Sequence, residues 1–320
     1  MGIITSKDWG NYGKVLGFLD QGKGSEINRT YPYSEGFAKS SDVYSITTRI
    51  ARLGKTIPWV LETVKGDMVE EITSGVLYDI INNPNSKQSR AEFVELALLY
   101  LTLSGEAYTQ NSSSIGFEDL PHSLKLLNPQ LLDISTVRVD SEYIVSSYRY
   151  DGIEGELNNQ SVDQVKYANP TIIGHQTTRG ISPLVSGYLT LKGLNNNQSA
   201  NASILENQGA AGILSNEGDY ALTGKERERE QSAIDKFIAG VRNFGKVIQS
   251  GAKVKFTRLG LDPTQLKIIE SKQLKFRDLC SIYDVKSILF NDPVNASFNN
   301  LTNAEKSLWT NAVIPNTELI

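Results

Sequence analysis

Residues 290–301 read Phe-Asn-Asp-Pro-Val-Asn-Ala-Ser-Phe-Asn-Asn-Leu, and no other stretch restricts the fold as much. Four asparagines and an aspartate in twelve residues bring more polar side-chain atoms than a buried turn can satisfy, so the stretch is expected to face water. Helices bracket it. Asp262-Pro263 caps one that runs to about Ile282, with Leu266, Ile269, Phe276, Leu279 and Tyr283 on one face, and a second capped helix is expected from about Thr302. A polar loop of this length in a compact chain is usually functional or disordered.

The incoming helix has a counterpart. In Gly180-Ile-Ser-Pro-Leu184, Ser182 is placed as an N-cap and Pro183 as the first helical residue, starting about 25 residues of helix to Gln208-Gly209. Its apolar stripe is thin (Leu184, Tyr188, Leu191, Ala202, Leu205), and Asn195-Asn-Asn-Gln-Ser199 occupies its middle. A helix this polar either bridges solvent or packs against copies of itself. Between the two helices lies a small unit over 210–260. A capping box at Thr223-Gly-Lys-Glu226 starts a charged helix to about Val241, and strands follow at Lys246–Gln249 and Lys253–Thr257, joined by Ser250-Gly251-Ala252. The small unit is therefore inserted between two long helices.

Upstream, residues 1–40 are rich in Gly, Ser and Lys and read as a loosely ordered arm. Asp42 is expected to cap a helix through Val43, Ile46, Ile50 and Leu53, and Ile57-Pro-Trp-Val-Leu61 to form a strand. Leu77–Ile81 reads as a short helix stopped by Asn83-Pro84. Ser89-Arg-Ala-Glu92 is a capping box that opens an apolar helix closed by Gly105. Strand-like pieces follow at Glu106–Gln110, Leu124–Leu127, Leu131–Val139, Tyr143–Tyr150 and Val162–Tyr167, with turns at Asp151-Gly152 and Asn169-Pro170. The body is α+β.

A chain of 320 residues is long enough for about two domains. The net charge of −4 argues against a conventional groove reader of DNA, which would be basic. A mildly acidic protein can still surround DNA that must slide. Cys280, alone of its kind, excludes an intrachain disulfide and reads as a small buried hydrophobe on its helix. The N-terminus lacks the apolar core of a signal peptide, and no run approaches the ~18 apolar residues of a membrane span.

Catalytic motifs fail on inspection. Gly240-Val-Arg-Asn-Phe-Gly-Lys-Val247 nearly spells a phosphate-binding loop, but Val247 lacks the hydroxyl that would hold Mg²⁺ and the order helix–loop–strand is reversed. Gly54-Lys55-Thr56 has Arg49 where the first glycine belongs. His122 and His175 have no metal-spaced partners, and no Gly-x-Ser-x-Gly occurs. No metal or cofactor is expected. A metal-dependent DNA-acting enzyme, a nuclease or phosphotransferase, is the rival class, and it would need a carboxylate cluster that the sequence does not show. The run Lys225-Glu-Arg-Glu-Arg-Glu230 alternates in sign, as a solvated helix face does, or as a partner-binding face with Lys225, Arg227 and Arg229. From Phe237 to Gly260 the charged residues are Arg242, Lys246, Lys253, Lys255 and Arg258, with no acid among them. In a ring of copies they would form a basic collar able to meet DNA phosphate, an acidic partner or a neighbouring subunit.

The order of these blocks resembles the portal proteins of tailed double-stranded-DNA bacteriophages, in the long-tailed-phage portal family. Leu77–Asn85 with Phe93 and Gly105-Glu-Ala-Tyr108, then Leu126-Leu-Asn-Pro129 with Leu131–Ile134, are similar to its early blocks. Gly180-Ile-Ser-Pro-Leu184 resembles the start of its outgoing stem helix, and Asn207-Gln-Gly-Ala-Ala-Gly-Ile-Leu214 the start of its clip. Gly245-Lys-Val-Ile with Gly251, and Asp262-x-x-Gln265 with Glu270-x-Lys272, resemble the clip exit and the returning stem helix. Ile282-Tyr-Asp-Val285, Ala296-Ser-Phe-Asn-Asn300 and Trp309 to Pro315 resemble the tunnel loop and the kinked helix after it.

The resemblance covers about residues 40–320. It implies an α+β portal fold: an arm (1–40), an α/β wing body (41–180), an outgoing stem helix (181–209), an inserted small α/β clip (210–260), a returning stem helix (261–288), a tunnel loop (289–301) and the start of a long kinked wing helix (302–320). Family members usually continue for tens of residues past this helix, completing the wing and often a crown; this chain stops at Ile320, either as a truncated piece or with a shortened wing, and both leave the crown open. It further implies a structural, non-enzymatic protein of the virion, assembled in the bacterial cytoplasm: a twelve-subunit ring at one capsid vertex through which DNA is packaged and ejected. The implied partners are other copies of the chain, double-stranded DNA, the large terminase, the major capsid or scaffold protein and a head–tail adaptor, with no membrane. The DNA-facing residues would be Asn291, Asp292, Asn295, Ser297, Phe298, Asn299 and Asn300 of the tunnel loop. The clip would use Lys225, Arg227, Arg229, Arg242, Lys246, Lys253, Lys255 and Arg258.

Overall fold

Local hydrogen-bond chemistry decides where the helices begin and end. The computed structural model describes residues 30–66, 68–113, 121–140, 142–170, 178–206, 212–216, 223–225, 228, 232, 254–258, 268–292 and 298–320. The chain divides into two units, Met1–Leu191 with Arg277–Ile320, and Lys192–Phe276.

In the first unit, part of the stretch read as a loose arm is structured: Pro32–Phe37 form a π-helical turn. Tyr31 stacks on Tyr188 at 4.9 Å, and Gly36 leaves room for Leu184 and Val43. Helix α1 (Ser41–Gly54) is capped by the hydroxyl of Ser40, which accepts from the Val43 amide, with Asp42 in the first turn instead of at the cap. No strand forms at 57–61. Pro58 has no N–H to offer a ladder, the Ile57 carbonyl accepts from Arg90 (2.9 Å), and Trp59 packs on Ala51, Val94 and Leu98. The strand starts later: β1 (Glu62–Lys65) and β2 (Met68–Glu71) form an exposed two-stranded ribbon turned at Gly66, φ 63°. Its polar, unalternating sequence hid it, and the Gly66-Asp67 turn was its one local signal.

Helices α2 (Val76–Asn82) and α3 (Arg90–Ser104) follow. The capping box is complete: Ser89 Oγ accepts from the Glu92 amide, and the Glu92 carboxylate accepts from the Ser89 amide at 2.8 Å. Those bonds hold the Glu92 carboxyl below its ordinary range. Helix α3 is apolar on most sides because it is covered on most sides, by α1 through Ala51 and by the sheet through Leu126. Two three-stranded antiparallel sheets follow. One is ordered β4 (Pro121–Leu127), β3 (Glu106–Ser113), β8 (Val162–Lys166), and the other β5 (Leu132–Val139), β6 (Glu142–Tyr150), β7 (Leu157–Asn158). They share a core of Tyr108, Leu127, Leu132, Tyr148 and Val162.

The buried end of α3 is sealed from far along the chain. The last carbonyls of a helix have no partners within it. Gly105, left-handed at φ 75°, returns its amide to Leu101; Tyr283 Oη donates to the Thr102 carbonyl at 3.2 Å; Ser182 Oγ donates to that of Leu103. Burial pushes the Tyr283 phenol far above its ordinary value, so it stays a donor. Replacing Tyr283 by Phe leaves the Thr102 carbonyl buried without this donor. We expect a loss of about 1–2 kcal/mol, read as a lower denaturation midpoint with unchanged slope.

The Ser182 hydroxyl also accepts from the Leu184 amide, as its cap position predicts. The helix it starts is shorter than expected: α4 (Pro183–Ser186) stops at Gly187, and α5 (Tyr188–Glu206) begins there. A Cβ at 187 would stand 2.5 Å from Ile282 Cδ1, so a side chain there would require Ile282 to move. In the second unit, β9 (Gly212–Asn216) pairs antiparallel with β10 (Val254–Arg258), Lys255 opposite Ser215. The expected partner strand at 246–249 lies outside the described residues. Helix α6 (Ile268–Ile282) crosses from the second unit into the first, as α5 crosses from the first into the second. Within the second unit Asn197 donates to Ser271 (3.2 Å), and the Lys275 chain lies over Gly193. The first unit closes with α7 (Phe298–Leu308), a π-helical turn (Trp309–Val313) and α8 (Ile314–Glu318). The π turn falls just before Pro315, which cannot donate to the carbonyl of Asn311.

Candidate functional site

Helix α6 ends in a Schellman turn. The Val285 amide donates to Cys280 (2.9 Å) and that of Asp284 to Ser281 (3.2 Å), with Asp284 left-handed at φ 53° and Val285 and Cys280 both buried. Burial pushes the Cys280 thiol up to about 12, with the Asp42 and Asp292 carboxylates adding to the effect, so it is a packing group with no thiolate chemistry at neutral pH. The chain next makes one 3₁₀ turn, Ser287–Phe290, and reverses at Asn291, left-handed at φ 62°.

Four side chains pin this reversal. Arg277, on α6, forks onto Asp292: Nε donates to Oδ2 at 2.6 Å and Nη2 to Oδ1 at 2.8 Å. Ser287 Oγ donates to the same Oδ2 at 2.8 Å. Arg49, on α1, donates Nη1 to the Leu289 carbonyl at 2.7 Å, and its guanidinium stands 5.4 Å over the Phe290 ring. Asp292 is only 8% exposed, and its hydrogen bonds raise the Arg277 guanidinium above its ordinary value. A paired fork of this kind fixes direction as well as distance.

The residues expected to line one wet loop thus divide. Asn291 is exposed. Asp292 is buried and committed to Arg277 and Ser287, so within this subunit its carboxylate is an anchor. Asn295 and Ser297 lie outside the described residues. Phe298 opens α7, four residues before the expected start, and Asn299 and Asn300 sit exposed on its first turn. Arg49, Arg277 and Ser287 were not singled out from the sequence. Arg49 and Leu289 are 240 residues apart, beyond the reach of any local pattern.

Of the basic candidates, Lys225 is exposed, and Lys255 and Arg258 belong to β10. Arg227, Arg229, Arg242, Lys246 and Lys253 lie outside the described residues. Among the described residues no group of three or more His, Cys, Asp or Glu could hold a metal ion, and no helix is long and apolar enough to cross a membrane.

The fold is that of portal subunits. It matches the neck of an empty gene transfer agent particle computed with C6 symmetry, with a TM-score of 0.64, 20% identity, and 91% of this chain and 78% of that one covered. The neck of a native gene transfer agent particle computed with C12 symmetry gives 0.62 and 20%, covering 91% and 77%. An HK97-family phage portal protein from Corynebacterium diphtheriae gives 0.57 and 14%, covering 87% and 86%. Relatives in sequence include uncharacterized proteins of Rickettsia bellii (20% identical over 287 residues) and Rickettsia felis (21% over 291), each pairing 88% of this chain with 72% of theirs.

The family described as phage portal protein matches residues 41–320, and the chain belongs to it. Its function is accordingly that of a portal at a capsid vertex, and the family is a structural one.

Proposed function

We propose that copies of this chain close into a ring around a DNA channel at the vertex of a phage-type particle. DNA enters during packaging and leaves during ejection through that ring. Helices α5 and α6 are the stem, the unit around β9 and β10 is the clip, and the turn from Asn291 into α7 is the tunnel loop. The pinned reversal at 287–292 supports the reading, because it gives the polar residues that follow it in the sequence a fixed starting point. Asn291, Asn295, Ser297, Asn299 and Asn300, with Phe298 among them, face the DNA in this reading. Short neutral amides and hydroxyls can touch a moving phosphate backbone without the lasting ion pairs of Lys or Arg. Asp292 serves as their anchor.

The clip carries Lys225, Arg227, Arg229, Arg242, Lys246, Lys253, Lys255 and Arg258. It meets the large terminase during packaging and a head–tail adaptor later, and their charge acts chiefly on association rate and salt dependence. The wing meets the capsid or scaffold protein. The ring assembles in the bacterial cytoplasm and ends in the virion. The portal itself breaks no bond; the terminase supplies the energy.

The exposed apolar residues of the stem helices support a ring, as the family does. Leu189 on α5 is 77% exposed and Leu274 on α6 is 58% exposed, surface that neighbouring copies would cover in a heterologous contact that closes. The neck computed with C12 symmetry supports twelve, and the neck computed with C6 symmetry is compatible with it, six being a divisor of twelve. Twelve copies of 35.3 kDa give about 424 kDa. Native mass spectrometry of the purified protein is expected to show a closed ring of about that mass. Monomer mass at every concentration and salt would refute the assembly.

A further inference from the structure

We propose that Arg277 and Arg49 are positioning residues for the DNA-facing loop, and that each subunit sets the inner post of its own loop without help from the ring. The proposal rests on the reading of that loop as DNA-facing.

The argument starts from the cost of burying Asp292. A carboxylate at 8% exposure must be paired and hydrogen-bonded, and Arg277 and Ser287 bring three donor contacts to its two oxygens. This arrangement does not serve helix α6, whose end is already closed by its Schellman turn. It does not cap the Ser287–Phe290 turn either, because that turn starts at Lys286 with no side-chain cap and Asp292 lies beyond its other end. What the fork does fix is the backbone at 291–292, the last described residues before the polar segment. Arg49 grips the same turn from a second helix, through the Leu289 carbonyl and the Phe290 ring. Two cations on two helices therefore triangulate one exit point, and both belong to the unit that contains it. These contacts are all made within one subunit, so none of them needs a neighbouring copy.

The outgoing side differs. The described chain resumes at α7, whose first turn shows Asn299 and Asn300 exposed. The anchored side thus sets where the polar segment begins its path. If Arg277 is replaced by Gln, Asp292 keeps Ser287 but loses the fork. Lysine supplies the charge but not the two-pronged geometry, so it restores the post only in part.

The test uses the full-length assembled protein, with two readouts: hydrogen exchange of the 286–292 amides, and DNA length packaged per particle. Arg277→Gln and Asp292→Asn are each expected to speed exchange there by about tenfold or more, while ring mass and exchange in the β3–β4 sheet stay unchanged. The double variant should be no faster than the singles, because both remove one interaction. Packaged length should fall in the same variants, with Arg277→Lys intermediate. Ser287→Ala and Arg49→Lys, which remove less, keep the test available should Arg277→Gln fail to assemble.

Unchanged exchange at 286–292 would overturn the proposal. So would faster exchange with normal packaging, and so would protection that appears only in the ring and is absent from a dissociated subunit. Normal packaging after removal of the loop itself would instead overturn the underlying reading, which separates the two failures.

Discussion

Replacing Glu106 by Ala is expected to lower the stability of the first unit by about 3–5 kcal/mol, as losing one partner of a buried ion pair does. Glu106 is 1% exposed. Its Oε1 accepts from Arg179 Nη1 at 2.7 Å and its Oε2 from the Gly180 amide at 3.0 Å, while Arg179 Nη2 donates to the Leu132 carbonyl at 2.6 Å. The carboxylate thus ties the first residue of β3 to the chain entering α4 and to the start of β5. Alanine would strand a guanidinium that is itself 15% exposed and take the carboxylate acceptor away from the Gly180 amide. The surroundings cannot relax, because Gly105 and Gly180 meet backbone to backbone and a Cβ on either would overlap the other strand's carbonyl. For a unit of this size the loss is a fall in melting temperature of about 10 °C, measurable by calorimetry at fixed protein concentration. Glu106→Leu with Arg179→Met should recover most of it, since an apolar pair of similar volume carries no stranded charge. A melting point within a degree or two of wild type in Glu106→Ala would show that the pair does not organise the junction.

The second large effect is on DNA movement. Exchanging residues 293–297 for a Gly-Ser linker of equal length keeps the Arg277–Asp292 fork and the start of α7, but removes Asn295 and Ser297. We expect rings of unchanged mass and a packaging rate lower by about tenfold, the effect of raising the barrier of each step by roughly 1.4 kcal/mol. Packaging in vitro with purified motor reports the rate, and native mass the ring. Full-length packaging at the normal rate would end the assignment of the loop to DNA. Ring collapse would show that the loop holds subunits together, a role the proposal gives to the helices.

Much of this architecture is legible because it is local. Ser89 with Glu92, Ser182 with Pro183, Gly105 and Asn83-Pro84 act through hydrogen bonds that span at most four residues, so their meaning is written in adjacent letters. The resemblance to the portal family rested on the order of short motifs, and the family match over residues 41–320 bears it out. The α7 start was misplaced because Phe298 gives no cap signal, and the β1–β2 ribbon was missed because an exposed hairpin needs no apolar alternation.

What the letters left open is which polar groups stay wet. Asp292 stands among asparagines and reads as solvated, yet it is buried, because Arg277 one helix away and Ser287 across the turn replace its water. The long helix expected from Pro183 is interrupted at Gly187, where the chain packs against Ile282. Arg49 belongs to the site only because α1 packs beside a turn 240 residues later. The sequence by itself determined the capped helix ends at Ser89, Ser182 and Gly105 and the polar composition of residues 290–301, since caps act within a few residues. Only the tertiary structure decided which of those polar residues anchor and which remain exposed, because desolvation is set by neighbours distant in the chain.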